Sequence, residues 1–421
     1  MIARLEDAEG RPPSDRDRAL ARELVFGVLR WRRALDYALD TYSRRPVSRL
    51  DLPVRIALRL GLYQLRYLDR VPASAAVHES VSLAAAFARP GAAGLVNAVL
   101  RAYLRADHPW PHRGGDRDLY LRTGLSHPDW LVDRYVKQLG NDGAKRRLEA
   151  NNRSPSVFLR VGLRGDFDNV RRQLEADGIR TERFPLAPRC LKVTEGNPQD
   201  SALHQEGEFH IQDAGSQLIA WLLPAEGARR YFDACAAPGG KATILAERIG
   251  PRPLIAADVR TSRIELLRNT ARRLSAPNLL PLVADASRPP FAARSFDRVL
   301  LDVPCSGLGT LSRNPDIKWT ASPNRLQRLG KSALQMARAA ASLLTPGGML
   351  LYATCSLEPE ETSEPVRDLL AETPGLRAIP LRDRLPEALE PLVGDDGALR
   401  LAPEDHGTDG YFAALLQRSS I

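Results

Sequence analysis

Asp233-Ala234-Cys235-Ala236-Ala237-Pro238-Gly239-Gly240-Lys241 follows an apolar run at 231–234 and opens a helical pattern at 241–248. A strand that enters a glycine turn and leaves it as a helix is the first unit of a parallel α/β sheet. The paired glycines let a ligand approach the backbone where the helix begins. The turn is not GxGxxG, so the dinucleotide fingerprint is not met. Towards the C-terminus, expected strands at 254–258, 280–284, 298–302 and 349–354 alternate with expected helices at 262–274, 324–344 and 361–370. That order predicts a doubly wound, Rossmann-like α/β domain. Runs at 399–401 and 411–416 flank a polar, glycine-containing connection and predict a terminal antiparallel hairpin.

Towards the N-terminus the character changes. Expected strands at 157–161, 180–184, 190–194 and 208–211 surround a helix at 166–176, which predicts a small α+β subdomain of ferredoxin or RRM-like type. The first hundred residues are all helical. Leu20, Leu24, Val28, Trp31, Leu35 and Leu39 recur at spacings of three and four. A second helix follows Asp51, an expected N-cap, with Pro53 in its first turn. Ser74 is the expected cap of a third, and a fourth spans 95–104. The polar stretch 107–118 predicts a linker, followed by a helix at 128–139. The expected domains are therefore 1–125, 126–212 and 213–421.

Of the 421 residues, 43% are hydrophobic and 26% charged, as in globular proteins generally. No apolar run approaches the roughly 18 residues of a membrane span. The acidic start Met1-Ile2-Ala3-Arg4-Leu5-Glu6-Asp7 lacks the apolar region of a signal peptide. Cys190, Cys235, Cys305 and Cys355 include no CxxC, and no HExxH occurs, so neither a disulfide framework nor a zinc site is expected. The expectation is a cytoplasmic, monomeric enzyme with reduced thiols, no metal, no membrane and no obligatory protein partner. Net charge is +9, carried by 54 arginines and only six lysines. Most of that preference is compositional. Residues 1–110 nevertheless hold 18 arginines against 12 acids, which suggests a polyanionic partner such as nucleic acid. Arg30, Arg32 and Arg33 are candidate phosphate contacts.

Ligands of such sheets bind beyond the carboxyl ends of the strands. Asp258, Asp285 and Asp302 end three successive strands. A ladder of acids is unfavourable for a pyrophosphate. It suits a ligand with hydroxyls, an adenine amine and a positive centre, and S-adenosylmethionine has all three. Cys305 and Cys355 each lie just past a strand end and face the same crevice, whereas Cys190 is expected to be a buried hydrophobe. Thiolate chemistry beside a methyl donor points to pyrimidine methylation. Addition of a thiolate at carbon 6 makes carbon 5 nucleophilic enough to accept a methyl group. A dehydrogenase on the same fold gives the two cysteines no role. An RNA-binding factor without methyl transfer is the reading of the helical region alone. DNA cytosine methyltransferases also carry a Pro-Cys, but the Thr-Cys here and the basic helical module favour RNA.

Asp233–Lys241, Asp302–Gly307 and Tyr352–Ser356 resemble the motifs of the RNA cytosine-C5 methyltransferases. So do Asn314-Pro315-Asp316-Ile317-Lys318-Trp319, the closing 403–412 segment and Ile211–Gln217. Phe26–Arg30, Gly61–Gln64 and Leu95–Arg101 resemble a NusB-type RNA-binding domain. The resemblance implies Cys355 as nucleophile, Cys305 as the thiol of product release, and Asp302 as a contact to the flipped cytosine. It implies an S-adenosylmethionine site formed by Cys235, Ala236, Ala237, Pro238, Gly239, Gly240 and Lys241 with Asp258, Asp285 and Asp302. The joining of these domains implies 16S rRNA as substrate, with cytosine 967 as target. Another RNA, a tRNA or a different rRNA site, is the alternative. The family usually has a further helix before Asp15, where this chain has only about a dozen residues.

Overall fold

The computed structural model describes residues 14–106, 110–112 and 114–420. The region where the additional helix would fall lies outside these residues. The chain divides into two compact units, one formed by residues up to 153 with 311–320 and the other by 154–310 with 321–421.

The first unit is helical. Its elements are α1 (Asp15–Asp40), α2 (Leu52–Tyr67), α3 (Ala73–Phe87), α4 (Ala92–Arg105), the short α5 (Arg117–Leu119) and α6 (Asp129–Asn151). Ser14 and Asp17 close a capping box at the start of α1. Leu35, Leu39, Leu58, Leu62, Val96 and Leu100 are fully buried and make the core, as their helical spacing requires. Three details differ from expectation. Asp51 occupies the N-cap of α2 but makes no capping bond; it pairs with Arg89 at 3.4 Å. Pro72, not Ser74, stands at the N-cap of α3, because a proline there needs no backbone donor. The helix expected to end near 139 breaks at Gly140 (φ 66°) and resumes to Asn151.

The second unit carries both sheets. The first contains β1 (Val157–Val161), α7 (Phe167–Ala176), β2 (Arg180–Arg183), β3 (Cys190–Glu195), α8 (Ala202–Glu206) and β4 (Phe209–Ile211). Its strands are all antiparallel, in the order β2-β3-β1-β4. α9 (Ala214–Leu222) leads into β5 (Tyr231–Asp233), α10 (Gly240–Arg248), β6 (Leu254–Asp258), α11 (Thr261–Arg273), β7 (Leu279–Val283) and β8 (Phe296–Asp302). After α12 (Ile317–Thr320) come α13 (Pro323–Ser342), β9 (Leu344–Thr354), α14 (Ser363–Glu372), β10 (Leu376–Ile379), β11 (Leu399–Leu401), α15 (Pro403–His406) and β12 (Tyr411–Arg418).

The eight-stranded sheet runs β10-β12-β9-β8-β5-β6-β7, with β11 also paired to β12. β5 to β9 are mutually parallel; β12 is antiparallel to β9, β10 and β11. The expected terminal pair is present, and β10 joins it. Alternation along the strands divides the core. Leu300, Leu351 and Ala256 pack with Leu218, Leu245 and Ile264 on one face, while Val299, Leu301 and Leu350 pack with Ala333, Ala337 and Leu369 on the other. The chain leaves β5 first for β6 and later returns to β8 on its other side. The ends of β5 and β8 therefore flank a topological switch point, where such sheets bind ligands.

Residues 311–320, which carry α12, belong to the helical unit. Lys318 is fully buried and donates to Asn152 Oδ1 at 2.5 Å and to the Arg30 carbonyl at 3.2 Å. Trp319 Nε1 donates to the Leu29 carbonyl at 2.7 Å.

Candidate active site

Cys305 and Cys355 follow the ends of β8 and β9, neighbouring parallel strands, and their sulfurs stand 2.9 Å apart. One cavity of about 250 Å³ is lined by both, together with Cys235, Asp258, Asp285 and Asp302. Ala237 lines it too. Ala236, Pro238, Gly240 and Lys241 line an adjoining cavity that shares Cys235, Ala237 and Asp302. Gly239 (φ 115°) turns the chain, and its Cα faces Leu267 and Thr270 of α11 instead. Cys190 is 2% exposed in the core, where burial first, and then Asp213, lift its thiol to about 12.

The acids differ in environment. Asp258 is 5% exposed and accepts from Arg260 N at 3.1 Å, which fixes its carboxylate at the end of β6. Asp285 is exposed, and the backbone N–H and hydroxyl of Ser287 hold it below the usual carboxylate range. Asp302 receives Lys241 Nζ at 2.7 Å. Burial disfavours the ammonium, but the Asp302 carboxylate outweighs it and raises the Lys241 pKa. Cys235 is held neutral by burial and by Asp233, Asp302 and Asp258.

The two thiols lie within hydrogen-bond distance of each other. The Cys355 S–H supports a thiolate on Cys305, which lowers the Cys305 pKa against the cost of burial; Cys355 in turn is pushed well above the usual thiol value. Of the two, Cys305 gives up its proton more readily and Cys355 holds its own. Surrounding bonds fix the geometry. Glu361, 1% exposed, accepts the Ser306 N–H and hydroxyl, each at 2.6 Å. Gly309 N donates to the Cys355 carbonyl at 3.1 Å, and Gly410 N donates to the Gly309 carbonyl at 2.7 Å. A Cβ on Gly309 would come within 2.4 Å of Gly410 O and 2.7 Å of Cys355 O, so only glycine lets these three loops meet.

A family model described as 16S rRNA methyltransferase RsmB/F matches residues 219–417. Models of the NusB family and of the ferredoxin-like domain of RsmF/B-like methyltransferases match 1–105 and 127–199. A Bacillus subtilis protein named probable ribosomal RNA small subunit methyltransferase B is 34% identical over 96% of this chain and 91% of its own. The Pasteurella multocida ribosomal RNA small subunit methyltransferase B is 33% identical over 96% and 88%. The chain belongs to the RsmB/F family.

Among solved structures, that of PH0851 is 26% identical with a TM-score of 0.81, covering 98% of this chain and 92% of that one. Like other members of the RsmB/F family, the protein is an S-adenosylmethionine-dependent methyltransferase of multidomain build. Its crevice fits that cofactor: anchored carboxylates stand at three strand ends, and in the adjoining cavity the buried Gln212 Oε1 has no hydrogen-bond partner. Among the described residues, no group of three or more His, Cys, Asp or Glu could hold a metal ion, and no helix is long and apolar enough to cross a membrane.

Sequence reasoning missed Glu361, the Cys305–Cys355 contact and the pairing of Lys241 with Asp302. An acid in the run Glu358-Pro359-Glu360-Glu361 signals an exposed helix start, and only its burial reveals the role. The three arginines proposed for phosphates are otherwise engaged. Arg30 is 6% exposed and donates to the Ser312 carbonyl at 2.8 Å. Arg33 binds Thr123, the His127 carbonyl and Asp129. The Arg32 guanidinium lies 5.0 Å above the Trp319 ring.

Proposed function

We propose that the protein methylates carbon 5 of a cytosine in 16S rRNA, at position 967, through a covalent bond from Cys355 to carbon 6 of the base. The observation that carries this reading is the 2.9 Å sulfur–sulfur contact beside Asp302 in the cavity of strand-end acids. The names of the relatives support a small-subunit rRNA substrate.

Cys235 to Lys241 with Asp258, Asp285 and Asp302 would hold the cofactor, which supplies an electrophilic methyl group. Cys355 loses its proton and attacks carbon 6 of the flipped base as a proton reaches the ring, which makes carbon 5 nucleophilic. After methyl transfer Cys305, acting as a thiolate, takes the hydrogen from carbon 5 while the Cys355–carbon 6 bond breaks. The departing Cys355 sulfur takes back the ring proton, and Cys305 gives its own to solvent. The net change is one methyl group gained and one proton released. Asp302, held by Lys241, contacts the cytosine; its acceptor oxygens suit an exocyclic amine. A base must leave its stack to reach such a cavity. Residues 1–125 serve as the RNA-binding domain, 126–212 as the small subdomain and 213–421 as the catalytic domain. The family-model boundaries at 105, 127, 199 and 219 support that division.

The test is methylation of 16S rRNA from a strain lacking the enzyme, followed by mapping of the modified nucleotide. Modification at cytosine 967 is expected. Modification elsewhere, or of tRNA instead, would overturn the substrate assignment.

A further inference from the structure

In the helical unit, α1 and α2 gather three arginines around one acid. Arg32 and Asp36 are one turn apart on α1, and Arg55 and Arg59 one turn apart on α2, so each pair shares a helix face. Arg59, 8% exposed, joins the two helices: its Nε and Nη2 donate to the two Asp36 oxygens at 2.7 and 2.8 Å. This bidentate pair occupies the carboxylate and leaves Arg32 and Arg55 as surplus cations.

Both are partly buried, and among the described residues neither guanidinium has an ion pair or a hydrogen bond. Arg55 Nε is buried without an acceptor. The Arg32 guanidinium touches only the face of the Trp319 ring, 5.0 Å from its centroid. That ring is itself fixed, since Trp319 Nε1 donates to the Leu29 carbonyl and Lys318 Nζ beside it donates to the Arg30 carbonyl. The Asn314–Trp319 segment thus presents a flat surface that orients Arg32 and leaves its N–H groups without an acceptor.

The arrangement opposes folding unless an anion completes it. Burial first, and then Arg59, lower the Arg32 pKa against the pull of Asp36, with Arg55 lowering it further. The unfolded chain would keep these like charges apart and hydrated. A group with several anionic oxygens would offset both costs, because each guanidinium fork can donate two parallel bonds to it.

We propose that Arg32 and Arg55 form a phosphate site for the RNA backbone, with Trp319 and the Asp36–Arg59 pair as positioning residues. A protein carboxylate offers similar acceptors. An rRNA substrate, however, carries a phosphate at every nucleotide, and residues 1–110 hold 18 arginines against 12 acids. Such a site reads no base; it sets affinity and register on the RNA. The inference rests on the RNA-substrate reading, and not on cytosine 967 or on the roles of the two cysteines.

The experiment is titration of a labelled 16S rRNA fragment with the full chain over a salt series. Arg32→Gln and Arg55→Gln should each flatten the log–log slope by about 0.7–0.9 and weaken binding about fivefold near 0.15 M salt. Arg55→Lys, which keeps the charge, should retain most of the slope. All three variants should bind S-adenosylhomocysteine within about twofold of the wild-type protein, which reports that they fold. Without RNA, Arg55→Gln should melt no earlier than wild type, because one of the crowded charges is gone. Wild-type slopes in both glutamine variants would overturn the proposal. So would earlier melting of Arg55→Gln with RNA binding intact, which would make the cluster purely structural. A wild-type chain whose RNA binding is weak and insensitive to salt would overturn the RNA-substrate reading itself, and the proposal with it.

Discussion

Glu361→Ala is expected to separate methyl transfer from cofactor binding. Glu361 is almost fully buried and accepts two bonds from Ser306, the residue after Cys305, both at 2.6 Å. Hydrogen bonds to a charged acceptor contribute about 1.5–3 kcal/mol each, and alanine leaves both donors unpaired. Burial raises the Glu361 pKa, so removing the acid also relieves a desolvation cost. A net loss of about 2–4 kcal/mol follows, enough to release the Cys305 loop. A displacement of about 1 Å at reacting atoms lowers rates on the order of a hundredfold. Glu361→Gln can still accept the Ser306 N–H and donate to its hydroxyl, so it should lose only about 1 kcal/mol. Single-turnover methylation of an rRNA fragment, thermal unfolding and S-adenosylhomocysteine calorimetry together test this. The alanine variant should unfold earlier and methylate about a hundredfold slower, with cofactor affinity within about twofold, and glutamine should restore most of the rate. A wild-type rate in a destabilised Glu361→Ala would refute the positioning role. Equal damage from glutamine and alanine would show that the negative charge, not the pair of bonds, is what matters.

Two further outcomes concern the helical unit. Arg44, Arg45 and Arg49 are exposed between α1 and α2 and take the place of Arg30 and Arg33 as candidates for phosphate contacts. Replacing all three with Gln should flatten the log–log salt dependence of RNA binding by about 0.7–0.9 per lost contact; an unchanged slope would remove this loop from the interface. Fully buried His127 has its pKa held well below the usual histidine value by burial, then by Lys318. The unfolded chain therefore binds a proton below about pH 6.5 that the folded chain refuses, and stability falls as pH drops. His127→Gln should flatten that decline by up to about 1.4 kcal/mol per pH unit in denaturant titrations between about pH 4.5 and 6.5. Parallel slopes for the two proteins would contradict it.

β5, β6, β8 and β9 were legible because both their faces are largely buried and their apolar runs are nearly continuous, whereas β7, at the sheet edge with Leu280 and Val283 about half exposed, was legible from its apolar run alone. β10 was not, since Arg377 and Ala378 are exposed and its pairing with β12 spans some forty residues of sequence. Arg33 resembles a solvated helix residue until Thr123, His127 and Asp129 close around it from more than 85 residues away. The strand-end positions of Cys305 and Cys355 could be read from the order of elements. That their sulfurs touch depends on the register of β8 against β9, which no local pattern encodes. The Leu139-Gly140 step signals a helix end, and the backbone does break there, but the chain re-enters helix because Ala144 and Leu148 have a core to pack against.

The central claim is that Cys355 attacks the base and Cys305 manages its proton. Incubating cysteine variants with rRNA and S-adenosylmethionine, followed by denaturing gel electrophoresis, tests it most directly. Cys355→Ala should bind RNA and cofactor but form no adduct and transfer no methyl group. Cys305→Ala should attack, methylate once and stall, so that a denaturation-resistant protein–RNA adduct accumulates, and the double variant should lose it. An adduct formed by Cys355→Ala, and absent without Cys305, would contradict the account and exchange the roles of the two thiols.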